Sequence, residues 1–297
     1  MMEKKRMNKG LAWLEAARPR TLTASVSPVL VGCALAYREG IFQWIPALLC
    51  ICVALLAQIA SNFANDYFDF KKGADGEDRV GPERAVAQGW ISPQAMLQGT
   101  WITLGVVCLA GCGLLAYGGW KLIFVGIAIA LCVLAYSAGP FPLAYHGLGD
   151  VCVLLFYGIV PVCFTYYVQA LTFSSLALIL SLSIGLLSVN ILIVNNYRDY
   201  QQDKASGKRT TIVLFGRRFG RVIYLINGLL ALALVFPLII QLDVTFQVFY
   251  GIFFVLFIAT WQEMRRKEGQ ALNRTLGHTA RNVFLFALLL CMTLLLY

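Results

Sequence analysis

Residues 44–70 read WIPALLCICVALLAQIASNFANDYFDF. An uncharged apolar run leads straight into Asn62, Asn65, Asp66 and Asp69. A helix needs about 20 mostly apolar residues to cross the hydrocarbon core of a bilayer. The stretch therefore reads as a membrane span over 44–66 with carboxylates and amides at its end, where charge is costly and marks function by default.

The same run-and-loop pattern recurs along the 297 residues. Apolar runs fall at 22–38, 44–66, 95–117, 121–137, 149–170, 175–197, 219–241, 244–262 and 280–297. The chain is 59% hydrophobic, with 13% charged residues and a mean hydropathy of +0.73, against about 25% charged in a soluble domain. Backbone polar groups must satisfy one another in lipid, and these runs are too long for barrel strands. The expectation is an all-α polytopic membrane protein with nine transmembrane helices and one domain over 1–297.

The net charge of +9 is distributed in a way that excludes nucleic acid as its purpose. Of 24 Lys and Arg, all but Arg38 and Lys121 fall in four segments: Lys4 to Arg20, 71–84, 198–221 and 265–281. With nine spans these four lie on one side and the two exceptions on the other. That asymmetry predicts a cytoplasmic N-terminus and an external C-terminus. The nine cysteines lie within apolar runs without metal-site spacing, so they read as small membrane-embedded residues.

Two cytoplasmic segments carry chemistry: DYFDFKKGADGEDRVGPERAVAQGWISP (66–93) and NNYRDYQQDKASGKRTTIVLFGRRFGR (195–221). They follow the second and sixth spans, and the offset of four suggests two four-helix halves plus a ninth helix. Helical neighbours at i+3 and i+4 share a face. Asn62, Asp66 and Asp69 then line one side, with Asn65 and Asp69 paired; Asn196, Asp199 and Asp203 repeat the spacing, with Asn195 continuing the row. Such hard oxygen donors suit Mg²⁺ shared with a diphosphate. Lys71, Lys72, Arg79 and Arg84 follow the first cluster, and Lys204, Lys208 and Arg209 the second. Arg84 and Lys208 are the candidate diphosphate clamps, against the plain reading of basic loops meeting anionic lipid.

At these residues the sequence resembles the UbiA-type intramembrane prenyltransferases. The family's first acidic signature appears as Asn65-Asp66-Tyr67-Phe68-Asp69 and its second as Asp199 to Asp203. RPRTL (18–22), GLGD (147–150) and NNYRDYQQDKASGKRT (195–210) look like the branch that prenylates 1,4-dihydroxy-2-naphthoate. The family's third Asp would fall at Gly73; Asp75 and Asp78 come later. The resemblance implies a helix bundle around a central cavity in a bacterial inner membrane. It implies Mg²⁺ held by Asn65, Asp66, Asp69, Asp199 and Asp203, with a polyprenyl diphosphate and an aromatic acceptor as substrates and the tail in a lipid-facing groove. It places Tyr136 beside the allylic cation and Ser137 at the diphosphate; Tyr67, Tyr145 and Tyr197 are further aromatic candidates.

Asp150 reads either as a helix N-cap or as the group recognising the acceptor ring. Arg18 reads as a ligand for an acidic substrate group or as a helix anchor. Asn62 and Asn196 extend the polar rows. His146 and His278 read as solvated loop histidines. Two alternatives stay open: a prenyltransferase for 4-hydroxybenzoate or homogentisate, and a cation or solute transporter, whose sites favour the bilayer midplane rather than helix ends.

Overall fold

The computed structural model describes residues 7–73 and 80–297. Asp75, Asp78, Arg79 and the basic residues at 4–6 lie outside them. The described residues are helical with short connections: α1 (Lys9–Ala17), α2 (Pro19–Arg38), α3 (Trp44–Lys71), α4 (Pro93–Gly118), α5 (Leu122–Ala135), α6 (Gly149–Leu154), α7 (Val160–Ala170), α8 (Ser175–Arg198), α9 (Tyr200–Ala205), α10 (Thr211–Ile239), α11 (Val244–Arg266) and α12 (Leu272–Leu296). A π turn, Leu155–Ile159, joins α6 and α7 into one span.

Seven helical stretches are long and apolar enough to cross a membrane: Trp44–Lys71, Pro93–Gly118, Gly149–Ala170, Ser175–Arg198, Thr211–Ile239, Val244–Arg266 and Gly269–Leu296. The other two expected spans are helices of a different kind. The α5 helix has 14 residues, about 21 Å at 1.5 Å per residue. The α2 helix has 20 residues but includes Thr21, Thr23, Ser25 and Ser27. Its Ser25 and Ser27 are buried and return their hydroxyls to the carbonyls of Leu22 and Thr23. Of the nine spans expected, seven meet that length and apolarity among the described residues.

Sequence punctuation sets several boundaries. Ser92 and Thr210 accept from the amides of Ala95 and Val213, each at 3.2 Å, and so cap α4 and α10. Gly216, at φ 84°, kinks α10 one turn after its start. The last span starts earlier than its apolar run because Thr275, Thr279 and Asn282 are buried rather than solvated. Asn282 donates to Thr260, and Thr279 bonds Tyr224. His278 therefore lies on α12, 3.1 Å from Glu263, and is not a loop residue. His146 does lie in a connection, but its ring stacks on Phe141.

The main core joins α2, α7, α8, α10, α11 and α12 through Leu35, Leu180, Ile193, Tyr224, Phe257 and Phe286. Two close approaches need glycine. A Cβ on Gly228 would stand 1.9 Å from the Phe257 ring, and one on Gly158 would stand 2.6 Å from the Ser181 carbonyl.

The polar connections gather at one end of the bundle. Lys208 reaches Asp69, Arg209 bonds the Tyr145 carbonyl, Asn273 bonds the Val80 carbonyl and Arg217 pairs with Glu268. At the other end Arg38 bonds the Tyr297 carbonyl, and the Gln43 amide bonds Gln169. Among the described residues, the basic segments thus share one end and Arg38 sits at the opposite one.

Candidate active site

A cavity of about 960 Å³ runs between the helices from the polar end toward Val29, Cys50, Leu122 and Val168. Its mouth is polar and its depth apolar, a form that suits a ligand with a charged head and a hydrocarbon tail.

The two acidic clusters face each other at the mouth. Asp69, near the end of α3, and Asp203, on α9, are both buried. Lys208 Nζ lies 3.7 Å from Asp69 Oδ2 and 3.9 Å from Asp203 Oδ1. Arg84 adds a guanidinium 3.8 Å from Asp69. Tyr145 donates to Asp69 Oδ1 at 3.1 Å. The Lys72 and Lys208 ammonium groups lie 4.4 and 4.7 Å from the Tyr145 ring centroid. Each such contact is worth about 0.5–2 kcal/mol, so the ring gathers cations at the mouth. Burial pushes the Asp203 carboxyl up to about 7; Lys208 opposes the shift, and Asp199 and Asp69 add to it. Burial and the Asp69 carboxylate hold the Tyr145 phenol well above its usual range.

On the α3 wall, Asn65 Oδ1 accepts from the Ser137 hydroxyl, and Lys72 donates to the Ser137 carbonyl at 2.7 Å. On the α8 wall, Arg198 clasps both oxygens of Asp199 at 2.7 Å and reaches Asn195 and Asn273 at 2.8 Å. Asn273 in turn donates to the Val80 carbonyl, while Gln202 accepts from its amide. The segment leading to Arg84 is thereby tied to the second acidic cluster. Asn196 is buried and lines the cavity.

Asp66 behaves differently from the expectation. It does not line the cavity. Its carboxylate accepts the amides of Ala85 and Val86 at 3.1 and 3.3 Å, so it fixes the turn that carries Arg84. The cavity face of α3 runs through Gln58, Asn62, Asn65 and Asp69, and Asp66 sits beside it. We expect Asp66→Asn to lower thermal stability by about 1–3 kcal/mol, because an amide cannot serve two N–H donors as a carboxylate does. The Mg²⁺ concentration giving half-maximal activity should stay as in the parent; a several-fold rise would return Asp66 to the ligand set.

Asn62 also has a structural task. It donates to the Ala17 carbonyl and Thr21, and accepts from Gln58, which takes the Tyr157 hydroxyl. Arg18 lines the cavity and donates to the Asn62 carbonyl at 3.4 Å, a contact between the α1–α2 corner and α3. Tyr136 and Ser137 line the cavity. Tyr67 packs edge-on against Phe68, and Tyr197 is buried in the main core. Lys204 and Arg209 are exposed and outside the cavity.

Asp150 is not the N-cap; Leu148 holds that position. Its Oδ2 accepts from Thr211 at 2.6 Å. Its Oδ1 is buried with no hydrogen-bond partner, and the residue lines the cavity. Gln58, Tyr157, Thr211 and Asn273 escaped the sequence reading. Their partners are distant in the chain, and no local spacing marks them.

Among the described residues no three Asp, Glu, His or Cys side chains converge as a closed cage. The donors present are carboxylate and amide oxygens on opposite walls, with cations beside them. This set fits Mg²⁺ completed by phosphate oxygens and water.

Helices packed around a tail-shaped cavity, with facing acidic clusters at its mouth, define an intramembrane prenyltransferase. The chain belongs to the UbiA prenyltransferase family, whose profile matches residues 25–290. It is 38% identical to a 1,4-dihydroxy-2-naphthoate octaprenyltransferase of Escherichia coli (strain K12), over 78% of this chain and 79% of that protein. The enzyme of the same name from Mycobacterium tuberculosis is 36% identical, over 77% and 78%. The fold matches a UbiA homolog from Archaeoglobus fulgidus bound to DMAPP and Mg²⁺, with a TM-score of 0.67 and 16% identity, covering 96% of this chain and 99% of that one.

Proposed function

We infer that the protein transfers a polyprenyl group from polyprenyl diphosphate to 1,4-dihydroxy-2-naphthoate, with loss of CO₂, giving demethylmenaquinol, the reduced form of demethylmenaquinone. The observation that carries this reading is the placing of Asp69 and Asp203 around Lys208 at the mouth of a deep apolar cavity. The two named relatives, each similar over more than three quarters of the chain, support the naphthoate acceptor over 4-hydroxybenzoate or homogentisate. Family membership and the placing of the carboxylates at helix ends disfavour a transporter.

Asn65, Asp69, Asp199 and Asp203 would hold Mg²⁺, which supplies Lewis-acid stabilisation of the departing diphosphate. Arg84, Lys208 and the Ser137 hydroxyl bind diphosphate oxygens. The allylic C–O bond breaks, and its electron pair leaves with the diphosphate. The cavity walls below Tyr136 hold the tail and keep water from the cation; the Tyr136 ring offers it a π face. The electron-rich acceptor ring forms the new C–C bond, and departure of CO₂ leaves its electron pair in the ring and restores aromaticity. Asp150, held on the cavity wall by Thr211, accepts an acceptor hydroxyl. This orients the ring and pushes electron density into it. The cluster-bearing end faces the cytosol, where the diphosphate is made, and the C-terminus lies outside the bacterial inner membrane.

The purified protein with Mg²⁺, a polyprenyl diphosphate and dihydroxynaphthoate should yield demethylmenaquinol, read as demethylmenaquinone after oxidation in air. Prenylation of 4-hydroxybenzoate in its place would change the acceptor, and silence toward both would remove the activity. Asp150→Asn should lower turnover of dihydroxynaphthoate by about 10–100-fold, the range of a lost charge-assisted hydrogen bond of about 1.5–3 kcal/mol. The KM for the polyprenyl diphosphate should stay unchanged. A shift confined to that donor KM would place Asp150 on the wrong substrate.

A further inference from the structure

Away from the cavity, the cytosolic ends of α10 and α11 enclose a small pocket of about 210 Å³, lined by Arg221, Gln262, Arg265 and Arg266. We propose that this pocket binds the phosphate of an anionic membrane lipid.

Three guanidinium groups lie around one hollow, and none has an acidic partner within 4 Å among the described residues. The neighbouring acids are already engaged. Glu268 pairs with Arg217 at 3.2 Å, and Glu263 takes Lys267 and His278 at 3.1 Å. Arg217 itself turns away toward the rings of Tyr197 and Tyr200. Guanidinium forks match phosphate oxygens in pairs.

The helix C-terminus explains part of the cluster. Arg265 and Arg266 lie in the last turn of α11, where the helix dipole favours cations. Arg221 has no such reason to be there, because it lies well inside α10. The pocket also has a formed wall. Trp261 donates its indole N–H to the Arg221 carbonyl at 2.7 Å, and the Arg265 guanidinium lies 4.7 Å from the Trp261 ring centroid. One indole thus fixes the backbone at one arginine and the head group of another.

Position selects a lipid over a dissolved ion. Toward the membrane the same helices expose apolar side chains: Val222 and Ile226 on α10, Phe254 and Val255 on α11. A phosphate held by the arginines would leave its acyl chains against that surface. Interfacial Trp and Arg at the headgroup level fit this arrangement.

The test uses the full-length protein in detergent, probed by native mass spectrometry with phosphatidylglycerol, phosphatidylcholine or inorganic phosphate. The parent should retain one more phosphatidylglycerol than the doubly substituted R221Q/R266Q protein and should show no such preference for phosphatidylcholine. Each arginine removed should weaken retention about fivefold, the contribution of one basic residue near an anionic surface. Arg266→Gln alone, at an exposed position, gives a reading even where the double change harms folding. Prenyl transfer in a neutral detergent should be unaltered, since these residues are remote from the cavity. Equal phosphatidylglycerol retention by parent and variants would overturn the proposal. So would inorganic phosphate protecting the parent from thermal unfolding with no lipid retained.

Discussion

Asp69→Asn and Asp203→Asn should each cut prenyl transfer by at least about 100-fold, the scale on which single electrostatic stabilisers act in closed sites, while the protein still inserts and keeps its helical content. Both carboxylates are buried at the cavity mouth and face one ammonium. Neither holds a turn together as Asp66 does. Asp69 does receive the Tyr145 hydroxyl, which an amide oxygen also accepts, so the change should cost little stability. The loss should appear as a raised Mg²⁺ requirement together with a lowered kcat, and EDTA should silence the parent in the same way, reversibly. Normal turnover in both variants at limiting Mg²⁺ would remove these residues from the metal-binding set.

The contrast between Asp66 and Asp69 shows where one-dimensional reading stops. Spacing along α3 placed Asn62, Asp66 and Asp69 on one side. A helix face is broad, however, and the spacing does not say which half of it meets the cavity and which meets a returning loop. The amides of Ala85 and Val86 decide that, nineteen and twenty residues downstream of Asp66. The second cluster was more legible, because Asp199, the residue between α8 and α9, and Asp203, on α9, both line the cavity.

Fold class followed from composition and run length, because lipid leaves the backbone few options. The exceptions have one physical cause. Hydropathy measures the side chain and not its neighbours. The polar start of α12 and the hydroxyls of α2 are satisfied inside the bundle, so polar sequence there is helix interior. The Thr211–Asp150 bond joins residues 61 apart. It converts an apparent helix cap into a carboxylate fixed on the cavity wall by one oxygen, and no local pattern encodes it.

Lys208→Gln should lower kcat/KM for the polyprenyl diphosphate by about 100-fold and leave the acceptor KM nearly unchanged. Its ammonium stands 3.7 Å from Asp69, 3.9 Å from Asp203 and 4.7 Å from the centre of the Tyr145 ring. It therefore does two things at once. Before substrate arrives it offsets the repulsion between carboxylates from opposite walls. With substrate present it is placed to meet the charge that grows on the diphosphate as the C–O bond breaks. A neutral amide of similar reach keeps the packing and loses both effects. Lys208→Arg keeps the charge but replaces a compact point donor with a planar fork, so it should restore part of the activity at a weaker donor KM. The two losses separate by experiment. If the lysine served only to offset the repulsion between the acidic clusters, added Mg²⁺ would rescue Lys208→Gln fully. Retained loss at saturating Mg²⁺, with weaker inhibition by inorganic pyrophosphate, is the expected result. An unchanged donor KM would move Lys208 out of the diphosphate site.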